Sequence, residues 1–212
     1  MSRRLAGAIA ALMFAGSGGS ELLAIRSKPQ APAAATTSPE RAAIEALNNG
    51  LRRLSQADQI ESKNPKEARK QYAAALKDFQ AAAAADPGNY RAHNGSGYSY
   101  RKLGQFDRAL ASYERALALA PASTEAIEYR AEAYLALNRL ADVKQAYMHL
   151  FVHDRAASQV LMTAMKAWVE KRQFDPAGVD TTAIATFDRW VRERDALAAS
   201  VVNLGHNSPD WK

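Results

Sequence analysis

Moved along itself in steps of 34, the chain lays aromatic residues on aromatic or large apolar ones. Tyr72 falls on Phe106 and Leu140, and Phe79 falls on Tyr113 and Tyr147. Ala75, Ala109 and Val143 share a second column, and Ala82, Ala116 and Leu150 a third. Pro87 meets Pro121, Gly97 meets Ala131, and Tyr100 meets Tyr134. Alanine is abundant, so its matches alone would carry little. The aromatic and proline matches in one frame are hard to reach by chance. Such a period dictates an array, because each repeat buries its apolar face only against the next copy.

The stretch LGQFDRALASYERALALAP, residues 103–121, shows the local logic. Ala109 and Ala116 are two helical turns apart and share a face, with Tyr113 between them on nearly the same stripe. A larger side chain at Ala116 would push two helices apart, at about 1–3 kcal/mol. Pro121 cannot continue the helix and closes the unit.

The clearest unit, Tyr90 to Ser123, resembles the tetratricopeptide repeat at Gly97, Tyr100, Gly104, Phe106, Ala109, Tyr113, Ala116 and Pro121. His93 and Ser96 depart from it, where an aromatic or aliphatic and a leucine are usual. Thr124 to Asp154 keeps Ala131, Tyr134, Tyr147 and Leu150, with Asn138 in place of the glycine and no closing proline. The preceding unit has a good second helix, but an insertion near ESKNPKEARK offsets its first. The resemblance implies an all-α solenoid of about three helical hairpins over residues 38–154, closed by capping helices over 155–204. Small residues would lie where helices touch, and aromatics between hairpins.

The resemblance also places a concave groove on the first helix of each hairpin. Its residues would be Arg91, Asn94, Tyr98 and Arg101, with Lys102 beside them, and in the next unit Glu125, Glu128, Glu132 and Leu135. The implied function is a non-catalytic adaptor or scaffold that binds a peptide or helix of another protein. Arg91, Asn94 and Arg101 would hold a carboxylate or backbone while Tyr98 packs on a side chain. In the plainer reading Arg91 and Glu125 pair across neighbouring helices, for about 0–1 kcal/mol. The full set of lysines and asparagines with which tetratricopeptide co-chaperones clamp a C-terminal carboxylate is not reproduced.

At the ends, Ser38-Pro39-Glu40 opens a helix with a cap, a preset first turn and an acid at the positive end. Ile44, Leu47, Leu51 and Leu54 follow at helical spacing, and Asn64-Pro65 opens the partner helix. Val160, Leu161, Ala164, Met165, Trp168 and Val169 form one later stripe, and Ile184, Phe187, Val191, Leu197 and Val201 another. FDPAG at 174–178 turns the chain between them. Residues 205–212, including Trp211, are expected to be a flexible tail.

Residues 1–24 have a secretory layout: Arg3 and Arg4, an apolar run from Leu5 to Ala15, then small residues. A cut after Ser17 or after Ala33 fits. The run is shorter than the roughly 18–20 residues that span a bilayer, so no stable membrane span is expected after cleavage. A Pro/Ala-rich linker, 25–37, follows. The expectation is a periplasmic or secreted bacterial protein. The sequence has no cysteine, which excludes disulfides, thiolate zinc sites and a cysteine nucleophile. The net charge is +6, from 28 basic and 22 acidic residues without a dense basic block, so no nucleic-acid partner is expected. No cofactor or catalytic constellation is expected; GSGY at 95–98 lies within a helix and cannot cradle a phosphate. Two other readings stay open. One is a metal-binding protein using His149 and His153, which lie one turn apart. The other is a self-associating structural protein, a homo-oligomer.

Overall fold

The computed structural model describes residues 38–206. The secretory layout, the linker and Trp211 lie outside them. Ser38 opens α1 (Pro39–Ile60), its hydroxyl accepting from the Arg41 N–H at 3.3 Å. Asn64 opens α2 (Pro65–Ala85) by accepting from the Glu67 N–H at 3.2 Å. Asn89, Ser123 and Asp154 likewise cap α3 (Tyr90–Lys102), α5 (Thr124–Ala136) and α7 (Arg155–Phe174).

Two helices start without a side-chain cap, α4 (Phe106–Leu119) and α6 (Leu140–His153). Each follows a tight turn whose backbone hydrogen bonds close the preceding helix. Gly104 has φ +78° and the Gln105 N–H donates to the Tyr100 carbonyl at 2.9 Å. Thirty-four residues on, Asn138 has φ +59° and the Arg139 N–H donates to the Tyr134 carbonyl at 2.9 Å. Asparagine is a residue that tolerates this left-handed geometry, so it replaces the glycine without loss of the turn. The last helix is α8 (Thr181–His206), which includes the first two residues of the expected tail.

The helices pair as successive hairpins, α1–α2, α3–α4, α5–α6 and α7–α8. The first helices, α1, α3, α5 and α7, touch one another in succession, and α2, α4 and α6 each pack between two of them. The expected all-α hairpin array is therefore present. The aromatic and small-residue columns of the second helices point inward: Tyr72, Phe79, Tyr113 and Tyr147 are at most 2% exposed, and Ala75, Ala82, Ala109, Ala116, Val143 and Leu150 are fully buried, while Pro87 and Pro121 are exposed at the turns. Each buried ring or large aliphatic contributes about 1.5–3 kcal/mol.

Glycines admit the rings. A Cβ on Gly50 or Gly95 would stand 2.7 or 2.6 Å from the Phe79 ring, and one on Gly97 would stand 2.5 Å from the Tyr113 ring. Phe79 of α2 thus lies between backbone of α1 and backbone of α3. The GSGY glycines are packing positions inside α3.

The insertion near 61–70 appears as length. α1 and α2 have 22 and 21 residues, against 13 and 14 in the next two hairpins. This shift overturns part of the expected stripe on α1: Ile44 and Leu51 are 52% and 43% exposed, while Ala43, Leu47, Gly50 and Ala57 are buried. Close approach to α2 favours small residues there, and the large ones are left outside. Val160 and Leu197 are also exposed rather than inward.

At the far end, Leu161, Met165, Trp168 and Val169 of α7 and Ile184, Phe187 and Val191 of α8 are buried together. Trp190 meets Tyr147 of α6 edge-on at 5.6 Å, covering the last repeat's aromatic. FDPAG makes the expected turn, with Ala177 at φ +46° and Gly178 at φ +80°.

Candidate functional site on the inner helices

Of the expected groove residues, Tyr98, Arg101, Lys102 and Glu132 lie where α3 meets α5 and the end of α1. Tyr98 is the centre. Its ring meets Tyr129 of α5 edge-on at 4.9 Å and Tyr72 of α2 at 6.4 Å. Its hydroxyl donates to Asp58 Oδ1 at 2.9 Å, and the Tyr72 hydroxyl donates to the same oxygen at 2.6 Å. Burial, with Asp58 beside them, pushes both phenols well above their usual range, so both remain donors.

Arg101 pairs with Glu132 of α5. Its guanidinium also lies over Tyr98 at 4.9 Å and over Tyr129 at 5.6 Å. Burial pulls the guanidinium pKa down, but Glu132 outweighs burial with the help of the neighbouring tyrosines, and the net shift is upward. Lys102 pairs with Glu61, the residue that follows α1, and lies over Tyr72 at 5.3 Å. Both cations are therefore already neutralised within the chain.

Arg91 and Glu125 are exposed and form no ion pair with each other. The pairing between α3 and α5 exists, but one helical stretch further on, at Arg101 and Glu132. Arg91 instead donates from Nε to the Tyr90 hydroxyl at 3.4 Å. Asn94 is 6% exposed, and its Oδ1 is buried without a hydrogen-bond partner. Leu135 is 4% exposed and belongs to the core, so it is not a groove position.

Glu128 stands apart. It is half-buried and makes neither an ion pair nor a hydrogen bond with another described residue. Burial first, and then Glu132, Glu125 and Asp154, push its carboxyl up to about 7 against the opposing pull of Arg101. Asp154 itself is held by the Thr124 hydroxyl at 2.8 Å and caps α7.

Asp58, Glu61, Tyr72 and Tyr129 were not among the groove residues expected from sequence. The 34-residue frame could not reach Asp58: one period before Tyr98 is Asn64, which caps α2. Tyr129 could have been found, since it adjoins Glu128 on a short inner helix. A separate cleft of about 450 Å³, lined by Leu117, Pro121, Ile127, Arg130, Tyr134 and His149 among others, shares none of these residues.

His149 and His153 are exposed on α6 and stack at 4.2 Å. His153 Nδ1 is 2.8 Å from the His149 carbonyl, and among the described residues no group of three or more metal-ligating side chains forms. No helix among them is long and apolar enough to cross a membrane.

No curated protein matches the sequence. Among solved structures, the first tetratricopeptide domain of the human RPAP3 protein is 21% identical and covers 60% of this chain and 98% of its own, with a TM-score of 0.45. The second such domain of human RPAP3, in complex with HSP70 peptide SGPTIEEVD, is 18% identical and covers 56% of this chain and 97% of its own, with a TM-score of 0.43. The first domain of Spaghetti (RPAP3), bound to HSP90 peptide SRMEEVD, is 21% identical and covers 57% and 93%, also at 0.43. The tetratricopeptide repeat family model matches residues 90–123, the unit formed by α3, α4 and their connecting turns. That unit stands among helical hairpins stacked on both sides of it, so the described residues form an all-α hairpin array of tetratricopeptide type.

Proposed function

We propose that the inner face of α3 and α5 is a docking groove for a segment of another protein, and that the chain is a non-catalytic interaction module of the bacterial cell envelope. The observation that carries the reading is the strip of Asn94, Tyr98, Tyr129 and Glu128. It combines half-buried rings with two acceptors, Asn94 Oδ1 and the Glu128 carboxylate, that have no hydrogen-bond partner among the described residues. Rings of this kind supply contact area at low entropic cost, and open polar atoms supply selectivity. Export is supported by the arginine-led apolar run of residues 1–24.

A photo-crosslinking amino acid tests the groove in the full chain expressed in intact cells. It is placed at exposed Arg91 or Glu125 on the inner helices, or at exposed Glu114 on α4. The expected result is one discrete adduct from positions 91 and 125 and none from 114. Equal adducts from all three positions, or none from the inner pair, would overturn it. An adduct of twice the chain's mass identifies self-association. Fractionation of the same cells, with the chain recovered only from the cytoplasm, would overturn export.

A further inference from the structure

We propose that the groove selects a basic side chain, a lysine or arginine of the docked segment, and seats it between Asn94 of α3 and Glu125 and Glu128 of α5. This inference rests on the groove reading and adds the charge of the partner.

The groove's cations are spent and two of its acceptors are not. Arg101 and Lys102 are held by Glu132 and Glu61, which leaves Arg91 at the rim as the remaining cation among the expected groove residues. Glu128 and the buried Asn94 Oδ1 are both without a donor among the described residues. Asn94 and Glu128 hold the same place in successive repeats, 34 residues apart. Asn94 is one turn before Tyr98, on the stripe whose later members reach Tyr129 and Glu132 of α5. Two orphan acceptors call for a group that only donates. An ammonium or a guanidinium meets that requirement and also offsets the crowding of Glu132, Glu125 and Asp154 around Glu128, which Arg101 offsets only in part. A carboxylate ligand, as the sequence first suggested, would meet like charge at Glu125, Glu128, Glu132 and Asp154.

The probes are blocked pentapeptides Ala-Leu-X-Leu-Ala with X as Lys, Arg, Gln or Glu, titrated into the full chain and read by backbone NMR shifts. The Lys and Arg peptides are expected to shift residues 94, 98 and 128 saturably, and Glu128→Gln to weaken them about tenfold. Glu128→Lys is expected to reverse the preference toward X = Glu. Wild-type affinity for the Lys peptide is expected to rise between pH 6 and pH 8, as Glu128 loses its proton. Binding of the Gln or Glu peptide at the same residues, as tightly as Lys, would overturn the charge selection and leave the groove reading standing. Shifts confined to other faces, or no shift with any peptide, would count against both, and the crosslinking result then decides the groove by itself.

Discussion

Arg101 of α3 and Glu132 of α5 form the ion pair that joins the inner faces of two successive repeats. Their side chains are only 16% and 21% exposed, and Tyr98 and Tyr129 flank the guanidinium. Removing one partner strands the other in a half-buried site. Arg101→Met is expected to destabilise the fold by about 2–4 kcal/mol, while Arg101→Met with Glu132→Met recovers most of the loss. Urea unfolding of the two singles and the double measures the coupling. Additive losses would show that the pair does not join the repeats.

Glu128 gives the fold a pH signature. Its folded pKa, about 7, lies above the ordinary 4.5. Such a group supports the fold most when protonated, and the support is lost as pH rises through 7. Glu128→Gln is therefore expected to match wild type near pH 4.5 and to exceed it at pH 8 by about 1 kcal/mol, after discounting for partial exposure. Thermal unfolding at the two pH values measures it. A constant difference would mean that Glu128 ionises as an ordinary surface acid.

Gly97→Ala places a methyl against the Tyr113 ring at 2.5 Å. The gain in helix propensity is about 1 kcal/mol, and overpacking costs about 1–3 kcal/mol. A net loss is expected, reversed in sign by adding Tyr113→Leu to the Gly97→Ala background. Circular dichroism melts of both variants, compared with Tyr113→Leu alone, test whether the ring is the cause.

Asn138 sits at φ +59° in the turn between α5 and α6. Asn138→Gly is expected to change stability by no more than a few tenths of a kcal/mol, whereas Asn138→Val costs about 1–2 kcal/mol because a branched Cβ opposes the left-handed backbone. Equal melting temperatures for the two variants would show that the turn relaxes.

The repeat columns made the core legible before any coordinates. Tyr72, Phe79, Tyr113 and Tyr147 were placed by one period, and their burial follows from it. Asn138 was legible as a turn residue for the same reason. The site was only half legible. Spacing put Arg91 and Arg101, and Glu125 and Glu132, on facing stripes, but spacing does not say which members meet. The helix crossing decides that, and it chose Arg101 and Glu132. Asp58 and Glu61 were hidden because the long first hairpin slips the frame. Ile44 and Leu51 were misplaced because periodicity registers large apolar residues, while the face of α1 toward α2 is set by small ones.

Phe79, flanked by Gly50 and Gly95, has a mechanical meaning. One flat ring is the shim between two rods of backbone, and a shim of packed carbon barely compresses. The gap between Gly50 of α1 and Gly95 of α3 is therefore set by the thickness of a benzene plate.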